Sequence, residues 1–136
     1  MRALGARIYR TPKDEGMLGA RQAAENFAKR TGAYYTNQFE TSDNPGAYRE
    51  TLAVEIIEAI PNLDYFVAGA GSGGTFSGVA EALQPYDVKS VVVEPKGSIL
   101  SGQEKGSHDT EGIGVEVWPQ FLKKESVSYT HLRAHE

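Results

Sequence analysis

Cysteine is absent from the 136 residues, which excludes a disulfide scaffold, thiolate zinc sites and a cysteine nucleophile. No run of about 18 apolar residues occurs, so no transmembrane helix is expected. The N-terminus lacks a basic segment followed by an apolar one, and nothing points to secretion. Nor is there a Lys/Arg run. Fourteen basic residues stand against 18 acidic ones, for a formal charge of −4, a poor match to nucleic acid or anionic lipid. What is present suits a packed chain: 40% hydrophobic and 24% charged residues suffice for a core and argue against wholesale disorder. This length accommodates one domain, or parts of two. The composition points to a cytoplasmic protein that handles small molecules.

Strand-like and helix-like segments alternate along the chain. Arg7 to Thr11 reads as a short strand. Met17, Ala20, Ala24, Phe27 and Ala28 then recur at helical spacing, with Gly32 as a C-terminal stop. Ala33 to Thr36 is a second strand candidate. Thr41 to Gly46 is the strongest loop signal, in which Asp43 or Asn44 could cap a helix carrying Tyr48, Leu52, Ile56 and Ile60. Tyr65 to Ala68 reads as a buried strand, and Phe76, Val79, Ala80 and Leu83 form one face of a helix that Pro85 ends. Ser90 to Glu94 reads as another buried strand, and Val115 to Trp118 as one more. Strands alternating with helices of this length predict an α/β fold, a parallel sheet with flanking helices on both faces.

The glycine-rich run Gly71-Ser72-Gly73-Gly74-Thr75 lies between a strand and a helix. Such a bend can cradle a phosphate. Glycines let the backbone approach closely, the helix N-terminus contributes partial positive charge, and Ser72 and Thr75 add hydroxyl donors. The same stretch also satisfies G-x-G-x-x-G through Gly69, Gly71 and Gly74, and Glu94 ends the next strand 20 residues after Gly74. A dinucleotide fold places its ribose-binding acid at that distance, so an oxidoreductase domain is the rival reading. Three features weigh against it. The run continues into Thr75 and Ser77, α/β units precede the bend, and Pro95 follows Glu94 as an ordinary strand end would require. By itself the bend identifies a phosphate without saying which one.

Several stretches together resemble one family. They are Ala3-Leu4-Gly5-Ala6 with Thr11-Pro12, Gly16-Met17-x-Gly19-Ala20, Asn37-Gln38-Phe39-Glu40, Asn44-Pro45, Tyr48-Arg49-Glu50-Thr51 and Glu55-Ile56. Gly71-Ser72-Gly73-Gly74-Thr75-x-x-Gly78, Val93-Glu94-Pro95, and Glu111-Gly112-Ile113-Gly114 with Pro119 complete the set. In this order over residues 1 to about 124, they resemble the pyridoxal-phosphate-dependent cysteine synthase and cystathionine beta-synthase group, within the tryptophan synthase beta-like fold. The resemblance implies pyridoxal 5′-phosphate as cofactor, with its phosphate held by Gly71, Ser72, Gly73, Gly74 and Thr75. It implies that Gln38 helps bind the substrate's alpha-carboxylate and that Gly112 lines the closed active site. It further implies a beta-replacement that forms L-cysteine from O-acetylserine and sulfide. The alternative is cystathionine formation with homocysteine, toward which Glu111, in place of the glutamine common in cysteine synthases, leans. Family members are homodimers, and some dock the C-terminal tail of serine acetyltransferase.

The resemblance also sets expected limits. Residues 1–40 correspond to the end of the smaller N-terminal domain and 41–124 to the central part of the larger phosphate-binding domain. Residues 125–136 read as a non-native or disordered tail, so that the chain is an internal piece truncated at both ends. The lysine that forms the Schiff base with the cofactor lies in an S-x-K-D-R context in the family. None of the seven lysines, Lys13, Lys29, Lys89, Lys96, Lys105, Lys123 and Lys124, has that setting, so no catalytic residue is assigned and no turnover is expected from this chain alone. His131 and His135 have H-x3-H spacing without a third ligand evident, and no metal site is expected. His108 reads as a loop histidine, and Trp118 and Phe121 as core or interface contacts.

Overall fold

The computed structural model describes residues 1–123 and, as backbone, the strand at 128–131. Two compact units make up the chain, Met1–Thr36 and Asn37–Glu136.

The first unit is built on one helix, α1 (Gly16–Thr31). Gly32 stops it in the left-handed conformation, φ 70°, and returns its N–H to the Ala28 carbonyl, as a glycine C-cap does. Thr31 reinforces that end by donating its hydroxyl to the Phe27 carbonyl at 2.8 Å. The apolar residues read from the helical period do share α1, but none of them is fully buried. Tyr9 and Phe27 meet with ring centroids 5.8 Å apart, while Met17 and Leu18 remain largely exposed. A unit of this size buries too little surface to build a core of its own. The expected strands at Arg7–Thr11 and Ala33–Thr36 do not form. Both segments are irregular, with no ladder partner among the described residues, and a strand without a neighbour has nowhere to place its main-chain hydrogen bonds.

The second unit is α/β, as its alternating pattern predicts. In order it holds α2 (Asp43–Glu50), α3 (Leu52–Ala59), β1 (Tyr65–Gly69), α4 (Gly74–Leu83), β2 (Lys89–Glu94) and β3 (Ser128–His131). The sheet runs β1-β2-β3 with both pairings parallel, Val67 opposite Val91 and Val92 opposite Tyr129. Residues 125–136 offer no sequence period, yet they contribute β3. Its Tyr-Thr pair is of the type that strands favour, and the open edge of β2 supplies the ladder. Val115–Trp118, expected as a strand, forms bends instead. Its main chain is taken up by the 98–99 turn, since Ser98 and Ile99 both bond to Val115.

The sequence predicts one helix that starts after a cap at Asp43 or Asn44, carries Tyr48, Leu52, Ile56 and Ile60, and stops at Pro61; two are found, α2 and α3. Thr51 donates its hydroxyl to the Ala47 carbonyl at 2.7 Å and adopts φ −120°, ψ −83°. Back-bonding of this kind bends helices, and here it separates α2 from α3.

Helix α4 is the hub of the core. Phe76 and Ala80 pack with Val92, Leu100, Val115 and Leu122. Its other side, Val79 and Leu83, packs with Ala53, Tyr48, Leu52 and Ile56. Phe66 bridges the two clusters and stacks obliquely on Phe76 at 5.4 Å. Strand β1 is less buried than its sequence suggests. Tyr65 and Val67 are more than half exposed, because successive strand residues face opposite ways and only the Phe66 side meets this core. Phe76→Ala is therefore expected to cost about 3–5 kcal/mol. Met17→Ala, on the exposed face of α1, should change stability by less than about 0.5 kcal/mol. Urea unfolding of the two variants, with comparable losses, would contradict this placement of the core.

Candidate functional site at the bend before α4

The bend between β1 and α4 is shaped by what surrounds its glycines. An ideal Cβ at Gly69 would strike the Ile113 side chain, and one at Gly74 would strike the Asn44 side chain. At Gly71 it would lie 2.5 Å from the Gly112 carbonyl oxygen. These are the three glycines of the G-x-G-x-x-G spacing. Each is accounted for by a neighbour within the same unit, with no pyrophosphate needed to explain it. Gly73 is different: as N-cap of α4 it has φ 84°, ψ −11°, a left-handed conformation that glycine alone adopts without strain.

No side chain caps α4. Its first main-chain bond runs from the Ser77 N–H to the Gly73 carbonyl at 2.8 Å, and the preceding amides point out of the helix end. Ser72 sits beside them. Its Oγ accepts from Asn44 Nδ2 at 3.1 Å and, more weakly, from the Gly74 N–H at 3.4 Å. A hydroxyl has two lone pairs and one hydrogen. With both lone pairs engaged, the hydrogen is left to donate. Thr75 is exposed at the same helix end, and the buried hydroxyl oxygen of Ser77 has no hydrogen-bond partner among the described residues. Amides, two hydroxyl groups and the positive end of a helix form a donor set, and a phosphate, which only accepts, fits it.

The sequence-derived candidates converge here. Gln38 is exposed, and its carbonyl accepts from the same Asn44 Nδ2 at 2.5 Å. Gly112, φ 81°, backs onto Gly71, and Ile113 onto Gly69. Gly71–Thr75, Gln38 and Gly112 thus surround one bend within one unit. Sequence reasoning passed over Asn44 as anything but a helix cap. In fact α2 begins at Asp43, with Ser42 in the cap position two residues before Asn44, and Asn44 serves Gln38 and Ser72 instead. Its contact with Ser72 spans 28 residues, a separation at which no local pattern reports. Elsewhere, a groove of about 660 Å³ between α2, α4 and residues 120–123 includes none of residues 71–75. Among the described residues no group of three His, Asp or Glu side chains could hold a metal. His135 lies outside the described residues.

Glu94 settles the rival reading of the bend. It falls on the same face of β2 as Ser90 and Val92 and is 1% exposed. One carboxylate oxygen accepts from the Leu100 N–H at 2.9 Å, the other from the Ser101 N–H at 2.8 Å. Buried and bonded at both oxygens to this turn, the carboxylate is not presented to a ribose at the bend. The acid instead closes the turn at 98–101. From that turn Ser98 Oγ accepts from the Val115 N–H at 3.1 Å, and the Ile99 N–H reaches the Val115 carbonyl at 3.3 Å. Burial pushes the Glu94 pKa up, but hydrogen bonds from the Ser101 and Ser98 side chains and from the Leu100 and Ser101 amides outweigh it, leaving the value below the ordinary 4.5.

A family model for pyridoxal-phosphate dependent enzymes matches residues 1–127. The chain is 49% identical over 126 residues to a cysteine synthase of Helicobacter pylori, a match covering 90% of this chain and 41% of the relative. It is 48% identical over 128 residues to an O-acetylserine dependent cystathionine beta-synthase of Bacillus subtilis, covering 91% and 42%. Among solved structures, the O-acetylserine dependent cystathionine beta-synthase of Helicobacter pylori superposes with a TM-score of 0.86 at 44% identity, over 96% of this chain and 45% of the other. An O-ureido-L-serine synthase gives 0.90 at 29% identity, over 97% and 44%. The chain thus spans about two fifths of the length of the curated relatives it matches. The shared fold is the tryptophan synthase beta-like one.

The lowered pKa of Glu94 makes stability depend on acid. A carboxylate depressed in the folded state stabilises fully above its unfolded value and loses that contribution as pH falls through the folded value. The melting temperature should therefore decline below about pH 4.5, the ordinary glutamate value. Glu94→Gln should be less stable than the parent at pH 7, with the gap narrowing toward acid pH. A gap that stays constant with pH would show that the Glu94 charge contributes nothing.

Proposed function

Since the chain belongs to the family of pyridoxal-phosphate dependent enzymes, we propose that residues 71–75 hold the cofactor's phosphate in a protein that forms L-cysteine from O-acetylserine and sulfide by beta-replacement. The observation that carries this reading is the donor-rich bend, in which a helix start with no N-cap side chain stands beside a Ser72 hydroxyl whose lone pairs are engaged by Asn44 and the Gly74 amide. When bound, the cofactor supplies an electron sink for the reacting amino acid. The chain's own residues do the rest of what is assigned to them. Amides at the start of α4 and the hydroxyls of Ser72 and Thr75 hold and orient the phosphate. Gln38 takes part in binding the substrate carboxylate. Gly112, packed behind Gly71, lines the site and helps exclude water.

Cystathionine synthesis from homocysteine is the second reading, supported by the relative of that name in Bacillus subtilis and by Glu111 in the E-G-I-G segment. The dinucleotide-binding alternative has no such support, given the engagement of Glu94. On the leading reading, residues 1–40 belong to the smaller domain and 41–124 to the larger one, and the whole enzyme is a cytoplasmic homodimer with serine acetyltransferase as a candidate partner. With no lysine in an S-x-K-D-R setting, this chain alone is expected to bind without turnover.

Titration separates the readings. Pyridoxal 5′-phosphate should raise the melting temperature and compete with inorganic phosphate, whereas NAD should do neither. Gly71→Ala, which places a methyl group against the Gly112 carbonyl, should weaken pyridoxal 5′-phosphate at least about tenfold, equivalent to about 1.4 kcal/mol. Selective NAD binding, or full affinity in the alanine variant, overturns the proposal.

A further inference from the structure

Asn44 lies half-buried in the first turn of α2 and makes no capping bond to its own helix. Its side-chain amide carries two bonds elsewhere. Nδ2 donates to the Gln38 main-chain carbonyl at 2.5 Å and to Ser72 Oγ at 3.1 Å. A main-chain carbonyl can only accept, so the nitrogen must face it, and the two bonds use both amide hydrogens. The contact is packed as well as bonded, since Asn44 occupies the space that a side chain at Gly74 would need.

The bond to Ser72 has a direction with a consequence. It fills one lone pair of the hydroxyl, and the Gly74 N–H approaches the other at 3.4 Å. The hydroxyl hydrogen then has neither donor as a partner and is turned away from both. The geometry points to Asn44 as a positioning residue: it aims the Ser72 hydroxyl hydrogen at the phosphate and ties the phosphate bend to the Gln38 turn. This rests on the phosphate assignment of residues 71–75. Asn44 itself touches neither ligand in this role. It acts through Ser72 on one side and through the Gln38 backbone on the other, so the bend and the carboxylate-binding turn keep one relative position.

The test uses the full chain with inorganic phosphate, pyridoxal 5′-phosphate and pyridoxal as probes, together with Ser72→Ala, Asn44→Ala, Asn44→Asp and the double alanine variant. Ser72→Ala should weaken both phosphate probes about tenfold, the range for one hydrogen bond to an anion. Asn44→Ala should weaken them about fivefold in the parent chain and scarcely at all when Ser72 is already alanine, because its effect runs through that hydroxyl. The nearly isosteric Asn44→Asp should be worse than Asn44→Ala, since a carboxylate accepts the hydroxyl hydrogen and withdraws it from the phosphate. Pyridoxal, which lacks the phosphate, should be insensitive to all four variants. Equal losses from Asn44→Ala in both backgrounds, or Asn44→Asp binding as well as the parent, would overturn the positioning role while leaving the phosphate reading intact. A parent chain that binds neither phosphate probe overturns both.

Discussion

Three positions in the bend between β1 and α4 have no room for a side chain, because Ile113, the Gly112 carbonyl and Asn44 already occupy that space. The rest of the candidate site depends on this crowding. It brings the 112–113 segment and the start of α2 against the same few residues, and it leaves the helix end bare of any capping side chain. The same constraint recurs one turn into α4. There Gly78 faces the Pro45 carbonyl and the Arg49 amide, so α2 can lie close along α4. Glycine is used in this unit less for flexibility than for proximity. The backbone of one element comes near enough to another for main-chain groups to line the bend.

A second constraint holds the far side. A glutamate on the core face of a strand is costly to bury unless its charge is met by hydrogen bonds. Glu94 is met by two amides from one turn, and that turn is joined through Ser98 and Ile99 to Val115. The segment that backs Gly69 and Gly71 is therefore held from both ends, by the crowding at the bend and by the turn that Glu94 organises. A buried acid that resembles a ligand-binding group in the sequence is thus a structural part of the wall behind the bend.

Large hydrophobic side chains also lie at the surface of both units. Tyr65 and Val67 on β1, and the adjacent Met17 and Leu18 on α1, are large hydrophobic residues that remain more than half exposed. The core that does form is centred on α4, the helix that carries the bend at its N-terminus. Packing and ligand chemistry thus meet in one element. Phe76 and Val79 anchor the helix, while its N-cap, Gly73, brings no capping side chain to the first turn.

The sequence by itself determined the α/β class, the strand-bend-helix unit at residues 65–83 and the donor character of that bend. These are local properties: hydrophobic period, glycine content and hydroxyl side chains follow from neighbours a few residues away. It also carried enough scattered motifs to resemble the right family. Tertiary structure decided what depends on distant partners. Whether Arg7–Thr11, Ala33–Thr36 and Val115–Trp118 become strands turns on a ladder neighbour, which each lacks among the described residues, whereas Ser128–His131 finds one at the edge of β2. Whether Glu94 binds a ribose or closes a turn turns on amides six and seven residues beyond it that fold back onto the strand. Whether Asn44 caps a helix or links Gln38 to Ser72 turns on a contact across 28 residues. Hydrogen-bonding groups are assigned only when the chain brings their partners within reach, and that is a property of the packed molecule.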